Sequence, residues 1–101
     1  MSKFFILLEG ATKSQKDAVT TYLMAKPWGV NHHFEDLWLL TGVPNEISAK
    51  GLCDEIRAVP GVGSQITMLV NRIADGASMT FWGRSAPANW EWMAKNWGKA
   101  G

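Results

Sequence analysis

The sequence has one cysteine, no long apolar run and almost no net charge. Cys53 has no partner within the chain for a disulfide, and a chain of this kind is expected in a reducing compartment. The apolar run at residues 4–8 ends at Glu9, which makes it too short for the core of a signal peptide or for a membrane span. We therefore expect a soluble, cytoplasmic protein that does not enter a membrane.

The charged residues exclude one class of function. Ten basic and nine acidic side chains in 101 residues give a formal charge of +1, which is far from the composition of strong, non-specific nucleic-acid binders, although a local basic patch stays open. What the sequence does have is six tryptophans, several of them near the C-terminus. Tryptophan brings a large apolar area and one N–H donor. This segment is therefore expected to pack on its own domain or on a second subunit.

Hydrophobic periodicity and turn residues divide the chain before residue 73 into six elements. In chain order these are a strand at 3–8, a helix at about 14–25, strands at 28–34 and 37–41, a helix at about 46–58 and a strand at 66–71. Ser14 and Asn45 are the expected N-caps, and Glu35 with Asp36 forms the hairpin turn. The order β-α-β-β-α-β predicts an α+β fold, the ferredoxin-like plait, as one domain over residues 1–101.

Residues 73–101 form a packed C-terminal extension in this interpretation. A turn with Asp75 beside Gly76 and a short strand at 79–83 lead to a helix with Ser85 as its expected N-cap and Pro87 in its first turn. Residues at i, i+3, i+4 and i+7 give that helix one apolar stripe: Trp90, Met93, Ala94 and Trp97. Right-handed crossovers place the two earlier helices on one face of a four-stranded antiparallel sheet. The extension or a partner subunit is then expected to cover the other face.

Two adjacent histidines raise the question of a metal site. Successive side chains on a strand point to opposite faces, so His32 and His33 are not expected to bind the same ion. His32 shares its predicted face with Val30 and Phe34, and it is therefore the histidine that we expect to be packed. One histidine acting with a remote carboxylate remains an alternative.

The stretches KFFILLEG, VNHHFEDLWLLTG and WGRSAPANWEWM together resemble the small SinR-like proteins, which are relatives of the CRISPR-associated Cas2-type subunits. In that family the first strand ends in an acid, a histidine precedes a tryptophan by six residues in the hairpin, and the C-terminal stretch has a tryptophan followed by a Trp-x-Trp helix. Glu9, the pair His32 and Trp38, and in the C-terminal stretch Trp82 followed by Trp90 and Trp92 match these landmarks. The resemblance implies a ferredoxin-like fold, a homodimer and nucleic-acid-associated work.

The resemblance also implies a role for Glu9. Such an acid can lie near its counterpart in the second subunit, where the two together hold a divalent cation, Mg²⁺ or Mn²⁺. The cation would activate water for attack on a phosphodiester, a task that suits hard oxygen ligands. On this hypothesis Glu9 is both the metal ligand and the catalytic residue.

The basic and aromatic residues allow two interpretations. Lys13, Arg84 and Trp92 are candidates for a surface that binds single-stranded nucleic acid, because bases stack on aromatic rings. Alternatively, the tryptophans form the core or a dimer interface, for which the candidates are Trp82, Trp90 and Trp97.

Three functions remain open from the sequence. The first is a homodimeric, nucleic-acid-associated protein, with or without weak metal-dependent phosphodiesterase activity. The second is a non-catalytic dimeric scaffold or regulatory binding module. The third is a small-molecule sensor that uses a cleft at the dimer seam.

Overall fold

The computed structural model describes residues 1–74, 76 and 79–101. The elements in this part of the chain are β1 (Ser2–Glu9), α1 (Lys13–Met24), β2 (Gly29–Phe34), β3 (Leu37–Val43), α2 (Ala49–Arg57), β4 (Thr67–Ile73), β5 (Thr80–Phe81), α3 (Pro87–Asn96) and β6 (Lys99–Ala100). Four of the strands form one antiparallel sheet in the order β2-β3-β1-β4, and β5 pairs with β6 in parallel. The predicted α+β class is thus confirmed as a four-stranded antiparallel sheet with three helices.

Helices α1 and α2 pack on the same face of the sheet. Strand β1 alternates with period two, and its residues Phe4, Ile6 and Leu8 are at most 2 % exposed. They share the main core with buried side chains of α1 and α2, namely Val19, Leu23, Leu52 and Ile56. Full burial of a side chain of this size contributes about 1.5–3 kcal/mol, so this face supplies most of the hydrophobic stabilisation.

The first two helices begin at caps other than those predicted. Thr12, not Ser14, is the N-cap of α1, and its Oγ1 accepts a hydrogen bond from the backbone N–H of Gln15 at 3.1 Å. The Gln15 side chain in turn accepts from the Thr12 N–H at 2.8 Å, which completes a capping box. Ser48, not Asn45, caps α2. The Oδ1 of Asn45 instead accepts a hydrogen bond from the hydroxyl of Ser2 in β1 at 2.9 Å.

Strand β2 contains one extra residue relative to β3. His32 and His33 together lie opposite the single residue Trp38, which is the arrangement of a β-bulge. The N–H of His33 donates to the Oδ1 of Asn31 at 3.3 Å, so it keeps a partner. Beyond the bulge Phe34 packs into a second apolar cluster, on the opposite face from the main core. The prediction that Phe34 and His32 share a face is therefore wrong.

The C-terminal extension lies against the second face of the sheet. Met93 of α3 and Trp97, the C-cap of that helix, form the second apolar cluster with Leu39 of β3. Half-buried sheet residues complete this cluster: Phe5, Phe34, Leu37 and Ile73. The tryptophan-rich segment therefore packs within its own chain.

Two buried asparagines fix the position of α3 on the sheet. The Asn31 Nδ2 donates to the Asn89 Oδ1 at 2.8 Å, and the Asn89 Nδ2 donates to the Ser85 Oγ at 2.8 Å. Burial of an amide is costly unless the amide is hydrogen-bonded. The position of α3 is therefore fixed where the side chains of Asn31 and Asn89 can bond to each other. Ser85 is not the N-cap that we predicted, because Ala86 occupies that position. Pro87 lies in the first turn, as expected.

Two further expectations concern the start of the extension, and a third concerns membrane spans. The turn predicted with Asp75 beside Gly76 involves residues 75, 77 and 78, which lie outside the described residues. The strand predicted at 79–83 is shorter and comprises Thr80–Phe81. Within the described ranges, no helix combines the length and the apolar character that a membrane crossing needs.

Candidate functional site

His32 is held on its ring face and on both ring nitrogens. It stacks on Trp38 with centroids 4.1 Å apart and ring planes 11° apart. The Trp38 Nε1 donates to the Thr20 Oγ1 at 2.9 Å, and the Thr20 hydroxyl lies 3.2 Å from the His32 Nδ1. The His32 Nε2 lies 2.8 Å from the carbonyl oxygen of Glu35. A carbonyl only accepts, so we assign the ring proton to Nε2 and make Nδ1 the acceptor from Thr20. The prediction that His32 is packed is confirmed.

Glu9 stands apart from other acids. It is exposed at the end of β1, opposite Thr67, on the rim of two clefts of about 110 and 310 Å³. Among the described residues that line these clefts it is the one carboxylate. In the described part of the chain, no group of three or more His, Cys, Asp or Glu residues is placed to hold a metal ion. A divalent cation at Glu9 would therefore have one carboxylate ligand among the described residues that line these clefts, and a second carboxylate would have to come from another molecule.

The lysines of the helical layer are paired with carboxylates. The ion pairs are Lys13 with Asp17 at 2.7 Å, Lys50 with Asp54 at 2.7 Å, and Lys16 with Asp36 at 3.1 Å and Glu35 at 3.3 Å. The hydrogen bond to Asp36 raises the pKa of Lys16, although desolvation acts in the opposite direction. Pairs as exposed as Lys13–Asp17 add little stability, but they leave less positive charge free for a ligand.

The basic residues of the extension differ from those of the helical layer. Arg84, Lys95 and Lys99 are exposed, and within the described part of the chain none of them forms an ion pair. Glu91 is the one acid in residues 79–101. Among the described residues, six basic side chains form no ion pair, and three of them lie on the extension. The other three are engaged differently: Lys3 and Arg72 donate to backbone carbonyls, and Lys26 lies over the rings of Tyr22 and Trp28.

Beside the basic residues of the extension lies an apolar cavity of about 270 Å³, which we call the aromatic slot. It is lined by Phe81, Trp82, Gly83, Trp90, Ala94 and Ala100. The rings of Phe81 and Trp90 stack with centroids 5.4 Å apart and planes 23° apart. Trp82 is 82 % exposed. The other lining residues, Gly83, Ala94 and Ala100, carry a single methyl group or no side chain and so fill little of the cavity.

The structure separates the residues that sequence reasoning grouped together. Trp82 and Trp90, which we predicted at a dimer interface, line the aromatic slot, whereas Trp97 is 8 % exposed in the second apolar cluster. Trp92 is half-buried against the same cluster and is not part of the slot. Lys13 begins α1, in the layer on the opposite face of the sheet from Arg84. Of the predicted nucleic-acid-binding residues, Arg84 alone adjoins the slot.

Sequence reasoning did not find the slot as a unit. Its signal was the spacing of Trp90 and Ala94, which places a small side chain one turn after a large one on the same face of α3. Gly83 directly follows Trp82 and lines the slot, but a side chain at this position would make only an ordinary van der Waals contact with Trp90, so glycine is not required there. A Cβ added at Gly83 would lie 3.5 Å from the Trp90 ring.

Part of the sheet face beside the extension is open. Leu7 of β1 and Leu69 of β4 are direct neighbours across the strand pair, and they are 42 % and 54 % exposed. Single exposed leucines are common, but these two are adjacent on one face. We call this pair the open strip.

No family model matches the chain, and no curated protein or solved structure shows significant similarity to it. The inference of function therefore rests on the geometry of the chain itself.

Proposed function

We propose that this protein is a small homodimer that binds single-stranded nucleic acid through its C-terminal extension. The observation that carries the proposal is the position of Trp82. Its side chain is 82 % exposed, and it lies two residues before the unpaired Arg84. Phosphates would be attracted by Arg84, Lys95 and Lys99, while bases would stack on the aromatic rings. The paired lysines of the helical layer supply much less free charge.

The fold and the oligomeric state are part of the same proposal. We infer a ferredoxin-like plait, and the element order together with the packing of α1 and α2 on one sheet face supports it. We also infer that a second copy covers the open strip, because Leu7 and Leu69 are exposed side by side. The resemblance to SinR-like and Cas2-type proteins agrees with both inferences.

Dimerisation can be tested by sedimentation. Leu69→Gln should weaken the dimer, whereas Met24→Gln, at another exposed apolar residue on α1, should not. Both substitutions are at the surface and should change the free energy of unfolding by less than about 0.5 kcal/mol. A dimer that persists equally in both variants would place the interface elsewhere.

Nucleic-acid binding is best tested through its salt dependence. Fluorescence anisotropy of a labelled single-stranded oligonucleotide gives the association constant at each salt concentration. The logarithm of this constant plotted against the logarithm of the salt concentration should have a slope of about −2 if three basic side chains contact phosphates. The double variant Arg84→Gln, Lys99→Gln should flatten the slope to about −0.7. Lys50→Gln is the matched control, since Lys50 is already paired with Asp54. Equal flattening by the control variant would contradict the proposed surface.

Catalysis is a separate part of the proposal. Glu9 is the one carboxylate among the described residues of its clefts, and a dimer would provide a second Glu9 as a further metal ligand. Phosphodiester cleavage by the wild type in Mg²⁺ or Mn²⁺ should disappear in Glu9→Gln, which keeps the shape of the side chain and removes its charge. Equal activity of the wild type and the variant would remove Glu9 from the mechanism.

The second candidate function is a non-catalytic dimeric scaffold or regulatory module, and the open strip favours it. A scaffold would depend on Leu7 and Leu69 and would not need the unpaired basic residues. A chain that dimerises through Leu69 but shows no salt-dependent oligonucleotide binding fits this candidate and contradicts the first.

A further inference from the structure

We infer that the aromatic slot holds a single unpaired nucleobase, an inference that rests on the proposed binding of single-stranded nucleic acid. The slot is an apolar space of about 270 Å³. Trp90 and Phe81 present stacked rings, and the exposed Trp82 stands beside them. A planar base can stack on such rings whatever its sequence identity, because every base has a π-face.

The slot favours a base that is outside a duplex. In a duplex the faces of a base are already stacked on its neighbours, and a protein ring can reach them only after the base leaves the stack. Gly83, Ala94 and Ala100 provide space and no polar side-chain group for reading base edges. We therefore expect single strands to bind better than duplexes, with a weak preference among the four bases.

The charges around the slot agree with a nucleotide and not with a neutral apolar ligand. Each unpaired basic residue directly adjoins a lining residue in sequence: Arg84 follows Gly83, Lys95 follows Ala94, and Lys99 precedes Ala100. These three basic residues are therefore attached next to the slot without lining it, and their long side chains can extend towards the phosphates that flank a bound base. Glu91, next to Trp90, is the one acid of the extension. An uncharged apolar peptide or hydrocarbon would gain nothing from these charges, whereas an alkyl carboxylate would, so dodecanoate is the competing ligand that the experiment must include.

The decisive variant is Ala94→Leu, which fills the slot without removing a charge. Ala94 is exposed on α3 and leucine is a good helix former, so folding should be unaffected. Ala88→Leu is the matched control, because Ala88 is exposed on the same helix and does not line the slot. Thermal unfolding of both variants verifies that they remain folded.

The assay compares a short single-stranded oligonucleotide with the same strand lacking its bases. For the wild type and Ala88→Leu we expect about 5- to 100-fold tighter binding of the strand with bases, since stacking on an aromatic ring has this magnitude per base. For Ala94→Leu we expect the two strands to bind alike, with the salt slope of the wild type retained. Trp82→Ala should reduce the preference for bases without changing that slope.

The failures of the two proposals are distinguishable. If the wild type binds both strands equally, or if Ala94→Leu keeps the base preference, the slot does not hold a base and the proposed nucleic-acid binding still stands. If the wild type binds neither strand at low salt, the proposed function itself is wrong. Dodecanoate could also occupy the slot. If it binds the slot and the wild type shows no preference for the strand with bases, the slot is assigned to an alkyl ligand and the inference is overturned.

Discussion

Replacement of Thr20 by valine should destabilise the protein although the two side chains have nearly the same shape. The Thr20 Oγ1 accepts a hydrogen bond from the Trp38 Nε1 at 2.9 Å and lies 3.2 Å from the His32 Nδ1. Threonine and valine have similar helix propensities, so the local cost within α1 is small. The substitution therefore removes a hydroxyl from between two rings and changes little else.

The expected magnitude follows from the burial of Trp38. Trp38 is 0 % exposed. Water therefore cannot reach its indole N–H and take the place of the Thr20 hydroxyl as acceptor. An unsatisfied buried donor costs about 1–3 kcal/mol. The substitution also removes the contact between the Thr20 hydroxyl and the His32 Nδ1. His32 is half-buried, so water can reach it more easily and the loss of this contact costs less. The total is a large fraction of the roughly 5–15 kcal/mol expected for a domain of this size, and the melting temperature should fall by about 4–8 °C per kcal/mol.

Urea unfolding followed by tryptophan fluorescence measures this difference, and a double-mutant cycle identifies its cause. In a Trp38→Phe background the indole donor is absent, so Thr20→Val should cost less than about 0.5 kcal/mol there. Equal costs in the two backgrounds would show that the hydrogen bond between Thr20 and Trp38 is not the source of the destabilisation. An unchanged stability of Thr20→Val in the wild-type background would refute the reasoning outright.

Two further predictions concern other polar contacts. Asn89→Leu leaves the buried amide of Asn31 without its partner, and urea unfolding should show a loss of about 1–3 kcal/mol; the double variant with Asn31→Leu should recover part of it. Burial, and next the 2.6 Å hydrogen bond to Glu55, raise the pKa of Tyr22. Its contribution to stability is therefore complete below about pH 10, the ordinary pKa, and is lost as the pH rises through the folded-state pKa. The phenolate absorbance of this single tyrosine should appear at higher pH in the native than in the urea-unfolded protein, and coincident titrations would contradict this.

The main elements could be predicted because the spacing of apolar residues reports burial directly. Alternation in β1 and the helical spacing in α2 both reflect faces that the structure buries. The helix caps were displaced because each start offers more than one suitable residue. Thr12 competes with Ser14, and Ser48 with Asn45, and the backbone position of the helix decides between them.

The bulge and the slot could not be predicted because both depend on partners distant in sequence. His32 and His33 read as ordinary alternation, and the extra residue is apparent only from the pairing of β2 with Trp38 in β3. The slot depends on the position of Phe81 relative to Trp90, which is set by the docking of α3. The sequence showed which residues are aromatic and basic, but not that Trp92 and Lys13 lie apart from Arg84.

Among the described residues, those that line the aromatic slot all belong to residues 81–100, and none belongs to the four-stranded sheet or to its helices α1 and α2. The main core and the proposed ligand site are consequently formed by different parts of the chain. Evolution or design can alter the shape of the slot by exchanging a few small side chains, while the packing that keeps the domain folded remains as it is.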